Sequence, residues 1–168
     1  MNATERTLVL MRHAKSSYPD GVADHDRPLA PRGRREAGLA GNWIRDRVTK
    51  IERVLCSSAT RTRETLALTE IDAPVDFRDR LYGATPGTLV NEVNAVDDAV
   101  RTLLVVGHEP TMSQVSLMLG APDRSDRTVV GEISMKFPTS GIAVLRLPGS
   151  WADLQVGSAA LIAFHVPR

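Results

Sequence analysis

Arg12-His13, Arg61 and His108 are the residues of this chain whose types and positions could do chemistry. Each comes just after an aliphatic run. TLVLM (7–11) leads into Arg12-His13, RVLCS (53–57) leads through Ser58 to Arg61, and TLLVV (102–106) leads through Gly107 to His108 and Glu109. A buried run normally ends in turn residues, because a buried charge without a partner costs on the order of several kcal/mol. Guanidinium forks match phosphate oxygens bidentately and always carry their charge. A neutral imidazole can attack phosphorus through its free nitrogen, and neighbouring cations keep its pKa from rising. The arginines, a second His if protonated, and the N–H groups at helix starts would stabilise the equatorial oxygens of a transferring phosphoryl group. Taken alone, each residue has a plainer reading as a solvated charge or a satisfied His; their joint placement is what argues for a phosphoryl pocket.

The elements that must position them are strands and helices in alternation. Further strand-like runs are GIAVLRL (141–147) and LIAFHV (161–166). The first three runs are continuous rather than alternating, which suits strands covered on both faces. Helical patterns run over 32–49, 60–69, 88–100 and 110–119, with Pro31 and Pro110 where a helix start accepts proline. The first carries Ala37, Ala40, Trp43 or Ile44, and Val48 on one stripe. This pattern predicts an α/β fold: a three-layer α/β/α sandwich with a mostly parallel central sheet. Ligand sites in such sheets lie beyond the carboxyl ends of the strands, where Arg12, His13, Arg61 and His108 fall. Polar 123–132 is expected to be a mobile loop, and Arg34, Arg35 and Arg63 to be helix-surface charges. The whole of 1–168 reads as one domain, without repeats or linkers.

Net charge is +1, so nothing drives the chain generally toward nucleic acid or an anionic membrane. The single Cys56 permits no internal disulfide and suits a reducing compartment. No signal-like N-terminus is present, and the longest apolar run, 159–164, is far too short to span a bilayer. The expected location is cytoplasmic. A cysteine phosphatase would place five residues between Cys and Arg, whereas only four separate Cys56 from Arg61. His25 and His165 share no ligand spacing with the other histidines, and arginines would repel a cation, so neither metal nor other cofactor is expected. No Gly-rich nucleotide loop is present.

The motifs carry a resemblance. LMRHAKSS resembles the RHG signature of the histidine phosphatase superfamily, with Ala14 in the usual glycine place. SSATRTRET resembles its second arginine motif, with Ser58, Thr62 and Glu64 replacing the common proline, alanine and glutamine. VVGHEPTM and FPTSGIAVL look like the second-histidine motif and the segment leading into a late strand. The short length, DHDRPLAPRG (24–33) and GHEPTM are most similar to the small SixA-like branch, the phosphohistidine phosphatases. The resemblance implies a phosphoglycerate-mutase-like fold, with His13 as the nucleophile that becomes phosphorylated. It further implies that Arg12, Arg61 and His108 bind the phosphoryl group, with Ser16 and Arg27 as additional pocket residues. Arg27 could equally be an ion-pair partner of Asp24 or Asp26.

A general acid is needed for alkyl phosphates, whose alkoxides leave poorly. In the mutase-like branch it lies in a segment corresponding to DRLYGATPG, where no carboxylate stands between Leu81 and Gly87. In the acid-phosphatase branch it follows the second His, where Glu109 stands; Glu109 reads either as that acid or as a helix N-terminal carboxylate favoured by the dipole. Phosphohistidine needs such an acid less, because its imidazole leaves already protonated. The expected function is therefore a phosphatase acting on phosphohistidine in a protein partner. The alternatives are a broader phosphomonoesterase for small phosphorylated metabolites, with Glu109 as acid, and a non-catalytic phosphate-binding module.

Overall fold

The computed structural model describes residues 5–168; residues 1–4, and with them the start of the expected domain, lie outside the described residues. The strands are β1 (Arg6–Arg12), β2 (Arg53–Ser57), β3 (Val75–Arg78), β4 (Thr102–Gly107), β5 (Ile142–Leu147) and β6 (Ala160–His165). Among the described residues these form one sheet in the order β3-β2-β4-β1-β5-β6. The first four in that order run parallel, while β5 is antiparallel to both of its neighbours. The helices are α1 (Pro31–Arg47), α2 (Thr60–Thr69), α3 (Pro86–Asn94), α4 (Thr111–Leu119) and α5 (Arg127–Met135).

The period of two along each strand sorts its side chains to opposite faces. Leu8 and Leu10 join Leu103, Val105, Leu89, Met112 and Val129 in one core, which α3, α4 and α5 cover. Val9 and Met11 join Leu104, Val106, Ala40, Ile44 and Leu66 in the other, under α1 and α2. Double burial explains why the central strands read as unbroken aliphatic runs.

Register does the long-range positioning. β1 pairs Arg12 with Gly107, so His13 and His108 leave the sheet on adjacent strands. Helix α2 then buries Arg61, Thr62, Thr65 and Thr69 in a largely polar interior. Its threonine hydroxyls are satisfied locally: Thr62 donates to the Ser57 and Ala59 carbonyls, Thr65 to Arg61 and Thr69 to Leu66. Two glycines let α1 approach its neighbours closely. A Cβ on Gly33 would overlap the Lys15 carbonyl, and one on Gly41 the Thr69 carbonyl.

Three expectations need correction. The segment 123–132 is not a loop throughout, because α5 begins at Arg127. Asp126 caps that helix by accepting from Val129 N at 3.1 Å, and Val129 and Ile133, one turn apart, are buried. Strand β3 was not expected: it is four residues long, half polar and at the sheet edge. The helix expected over 88–100 spans only Pro86–Asn94, with the Thr85 hydroxyl accepting from Thr88 N at its start. On α1 it is Ile44, 1% exposed, that enters the core, while Trp43 stacks on His165 at 4.9 Å.

Candidate active site

A cavity of about 220 Å³ opens at the carboxyl ends of β1 and β4, lined by Arg12, His13, Ser16, Arg27, Arg61, His108 and Glu109, with Lys15, Tyr18 and Thr139 at its edge. The structure therefore brings together every site residue expected from the sequence. Pockets for drug-sized ligands start at about 300 Å³, so this one suits a small group rather than a whole large ligand. A larger cavity of about 310 Å³ lies at the amino-terminal edge of the sheet, lined by residues such as Ile44, Val48, Ile51 and Ile71, and holds none of these groups.

His13 is held by backbone on both sides. Its N–H donates to the Gly107 carbonyl, and its carbonyl accepts from Ser140 N, each at 3.0 Å. Ser140 adopts a left-handed φ of 65° to do so. The next residue is fixed by Thr65, whose hydroxyl accepts from Ala14 N at 2.9 Å and donates to the Arg61 carbonyl at 2.6 Å. The imidazole is only 7% exposed, and its Nδ1 lies 2.7 Å from the Ala14 carbonyl. A carbonyl can only accept, so Nδ1 carries the proton and Nε2 keeps its lone pair. Burial pushes the His13 pKa down to about 3, with His108, Arg61 and Arg12 lowering it further against the Ala14 hydrogen bond. Burial, more than the neighbouring cations, is thus the main reason it stays neutral.

His108 sits 5.3 Å from His13 between ring centroids. Its Nε2 meets the Ser57 hydroxyl at 2.8 Å, and that hydroxyl in turn accepts from Ala59 N at 3.3 Å. The His108 proton is on Nδ1 where Ser57 donates to Nε2, and on Nε2 where Ser57 accepts from it. Burial, then Arg61, brings its pKa down to about 4, so near neutral pH it is uncharged and not the cation allowed for above. Arg12 donates from Nη1 to the Phe137 carbonyl at 3.0 Å. Arg61 donates to the Asp24 carbonyl at 2.7 Å and carboxylate at 3.1 Å. Arg12 Nε, Arg61 Nε and His108 Nδ1 are nonetheless buried with no hydrogen-bond partner among the described residues. Buried polar atoms left unmatched are costly, and these three belong to residues lining one cavity, whose two guanidiniums suit a tetrahedral oxyanion.

Arg27 lies in the cavity wall and is also ion-paired. It donates to Ser16 Oγ at 2.7 Å and to Asp24 Oδ1 at 3.0 Å, while Asp26 pairs with His25. Both readings of Arg27 hold geometrically, with Asp24 as the partner. Glu109 lines the cavity, but its two oxygens accept from Ser113 N at 2.7 Å and Ser113 Oγ at 2.8 Å, which caps α4. Arg34 and Arg35 are exposed as expected; Arg63, also exposed, packs 4.0 Å over the Phe77 ring and donates to the Ser58 carbonyl. Burial pushes the Cys56 thiol up to about 12, away from nucleophilic use.

Sequence reasoning missed Ser57, Thr65, Asp24 and Tyr82 as parts of this site. Ser57 and Thr65 were in view as motif residues, without a role. Tyr82 donates to Asp24 Oδ2 at 2.5 Å from within the segment where the mutase-like acid was sought. Ser58, where the family commonly has proline, meets His25 Nε2 at 3.1 Å.

Comparison with known proteins decides the family. The model of the histidine phosphatase superfamily (branch 1) matches residues 8–95, and the phosphohistidine phosphatase SixA of Escherichia coli is 30% identical over 151 residues, 85% of this chain and 86% of that one. The chain belongs to the histidine phosphatase superfamily. The uncharacterized protein Rv1276c of Mycobacterium tuberculosis is 63% identical over 94% of this chain and its own full length. Among solved structures, a candidate SixA from Nakamurella multipartitia superposes with a TM-score of 0.90 at 42% identity, covering 98% of each chain. A protein histidine phosphatase SixA complexed with tungstate gives 0.76 at 25%, covering 96% of this chain and 97% of the other. The sandwich is thus the phosphoglycerate-mutase-like fold of these SixA neighbours. Among the described residues no helix is long and apolar enough to cross a membrane.

Proposed function

We propose that this protein, acting as one domain over 1–168, is a phosphatase that removes the phosphoryl group from phosphohistidine on a protein partner. The observation carrying this is the His13 imidazole, buried and neutral, with its proton fixed on Nδ1 and Nε2 available within an arginine-lined cavity. Nε2 attacks phosphorus, and a P–N bond to His13 forms as the substrate's P–N bond breaks. The substrate imidazole departs with the proton it already carries. Water then cleaves the His13 phosphoramidate: its hydroxyl stays on phosphorus, its proton ends in solvent, and neutral His13 returns. Arg12, Arg61 and His108 bind the equatorial oxygens, with Ser16 and Arg27 completing the pocket. The names of the SixA relatives, and the complex of one of them with tungstate, support a phosphate-like oxyanion as the ligand class. No metal, cofactor, nucleic acid or membrane has a part in this scheme. With one free, buried thiol, we place the protein in the cytosol.

A second reading, an esterase of small phosphorylated metabolites with Glu109 as acid, draws on Glu109 lining the cavity. Against it, both Glu109 oxygens are occupied by Ser113. The test is hydrolysis of a phosphohistidine-bearing protein beside a simple alkyl phosphate, with His13→Ala as control. Turnover of phosphohistidine alone, lost in the variant, is the expected result. Comparable turnover of the ester would favour the second reading. Full retention of activity in His13→Ala would remove His13 as the nucleophile, and no turnover of either substrate by the wild type would leave only a phosphate-binding module.

A further inference from the structure

Asp24 belongs to a 3-10 turn, Asp24–Asp26, ahead of α1, and its side chain is 57% exposed. Its carboxylate nevertheless joins three segments. Oδ1 accepts from Arg27 Nε at 3.0 Å, and Oδ2 accepts from Arg61 Nη2 at 3.1 Å and from the Tyr82 hydroxyl at 2.5 Å. Its carbonyl accepts from Arg61 Nη1 at 2.7 Å and from Arg27 N at 3.2 Å. The Tyr82 hydroxyl, then Arg27 and Arg61, hold its carboxyl well below the usual carboxylate range, so it is an anion throughout the working pH range. The two arginines are themselves only 11% and 8% exposed in their side chains.

Both arginines line the cavity, and Asp24 does not. It therefore engages the guanidinium pair from outside the space a phosphoryl group would fill. Two guanidiniums converging on one cavity repel each other. Arg27 comes from the loop before α1 and Arg61 from the first turn of α2, so no shared backbone fixes their separation. One carboxylate bonded to both can offset the repulsion and set the spacing. An exposed ion pair by itself adds little to folding, so stability is a weak explanation for this arrangement.

We propose that Asp24 is a positioning residue that holds Arg27 and Arg61 as a single phosphoryl clamp, with Tyr82 fixing the carboxylate; this rests on the cavity being the phosphoryl site proposed above. Coulomb's law alone says that deleting a negative charge beside an anion site tightens anion binding. Loss of arginine positioning weakens it.

The test is calorimetric titration of orthovanadate into the wild type, Asp24→Asn and Asp24→Glu, with steady-state rates on the same proteins. Asn keeps the shape without the charge, and Glu keeps the charge but moves it by one methylene. Both variants are expected to bind orthovanadate about tenfold or more weakly. They should lose kcat far more than they raise KM, since misplacement by about 1 Å can cost roughly a hundredfold in rate. Their melting temperatures should stay close to wild type. Unchanged or tighter binding by Asp24→Asn, or wild-type behaviour of Asp24→Glu, would overturn the role given to Asp24. A wild-type protein that bound no orthovanadate would overturn the pocket reading beneath it.

Discussion

Thr65→Val removes one hydroxyl and almost no volume at a site where that hydroxyl joins the strand leading to His13 to the helix that carries Arg61. Thr65 is fully buried, and its Oγ1 accepts from Ala14 N at 2.9 Å while donating to the Arg61 carbonyl at 2.6 Å. Valine fills the space and supplies neither bond. The Arg61 carbonyl remains in the ladder of α2, so its loss is minor. The Ala14 N–H is stranded on a residue with no exposure, which costs about 1–3 kcal/mol. Taking a loss of about 2 kcal/mol, a chain of this length should melt roughly 4–8 °C lower. The Ala14 carbonyl also fixes the His13 proton, so slack in this turn should lower kcat as well. Thermal unfolding and initial rates of phosphohistidine hydrolysis give both numbers, and Thr65→Ser, which restores the hydroxyl, should recover most of each. A Thr65→Val protein matching wild type in melting temperature and rate would refute the claim that this bridge holds the site.

Acid should destabilise the protein through its buried imidazoles. Their folded pKa values, about 3 for His13 and about 4 for His108, lie below the unfolded value, so the unfolded state binds more protons as pH falls from about 6.5 toward 4. Stability should decline across that window, and less steeply in His13→Gln, as denaturant titrations at several pH values would show. Gly33→Ala would force a Cβ into the Lys15 carbonyl, so overpacking should cost about 1–3 kcal/mol in unfolding experiments and disturb the turn after His13. Glu109→Gln should weaken the start of α4 by about 0.5–1 kcal/mol while keeping most phosphohistidine turnover. A collapse of that turnover would restore Glu109 as a working acid.

The central strands and the ends of β1, β2 and β4 were legible because burial on two faces writes an unbroken aliphatic run, and because charged residues interrupt such runs conspicuously. The packing partner on α1 was not: Trp43 and Ile44 are adjacent, and Ile44 lies within the core while Trp43 packs half-buried against its edge and stacks on His165. Helix α5 was misread because its polar content outweighed a single buried pair, Val129 and Ile133. Strand β3 was missed because an edge strand with Asp76 and Arg78 needs no apolar run. The supporting hydroxyls of Ser57, Thr65 and Tyr82 carry no periodicity at all; their roles exist only once β1, α2 and the loop before α3 meet. Ser140 is similar, since a left-handed residue that is not glycine leaves no signal beyond its neighbour Gly141.

The central claim is covalent: a phosphoryl group passes to Nε2 of His13. Intact-protein mass spectrometry after rapid mixing with a phosphohistidine-bearing protein, followed by mapping under alkaline conditions that preserve phosphoramidates, tests it directly. A transient gain of one phosphoryl group is expected, acid-labile and located on His13, and absent from His13→Ala. Substrate turnover with no phosphorylated intermediate, or with the phosphoryl group on another residue, would contradict it.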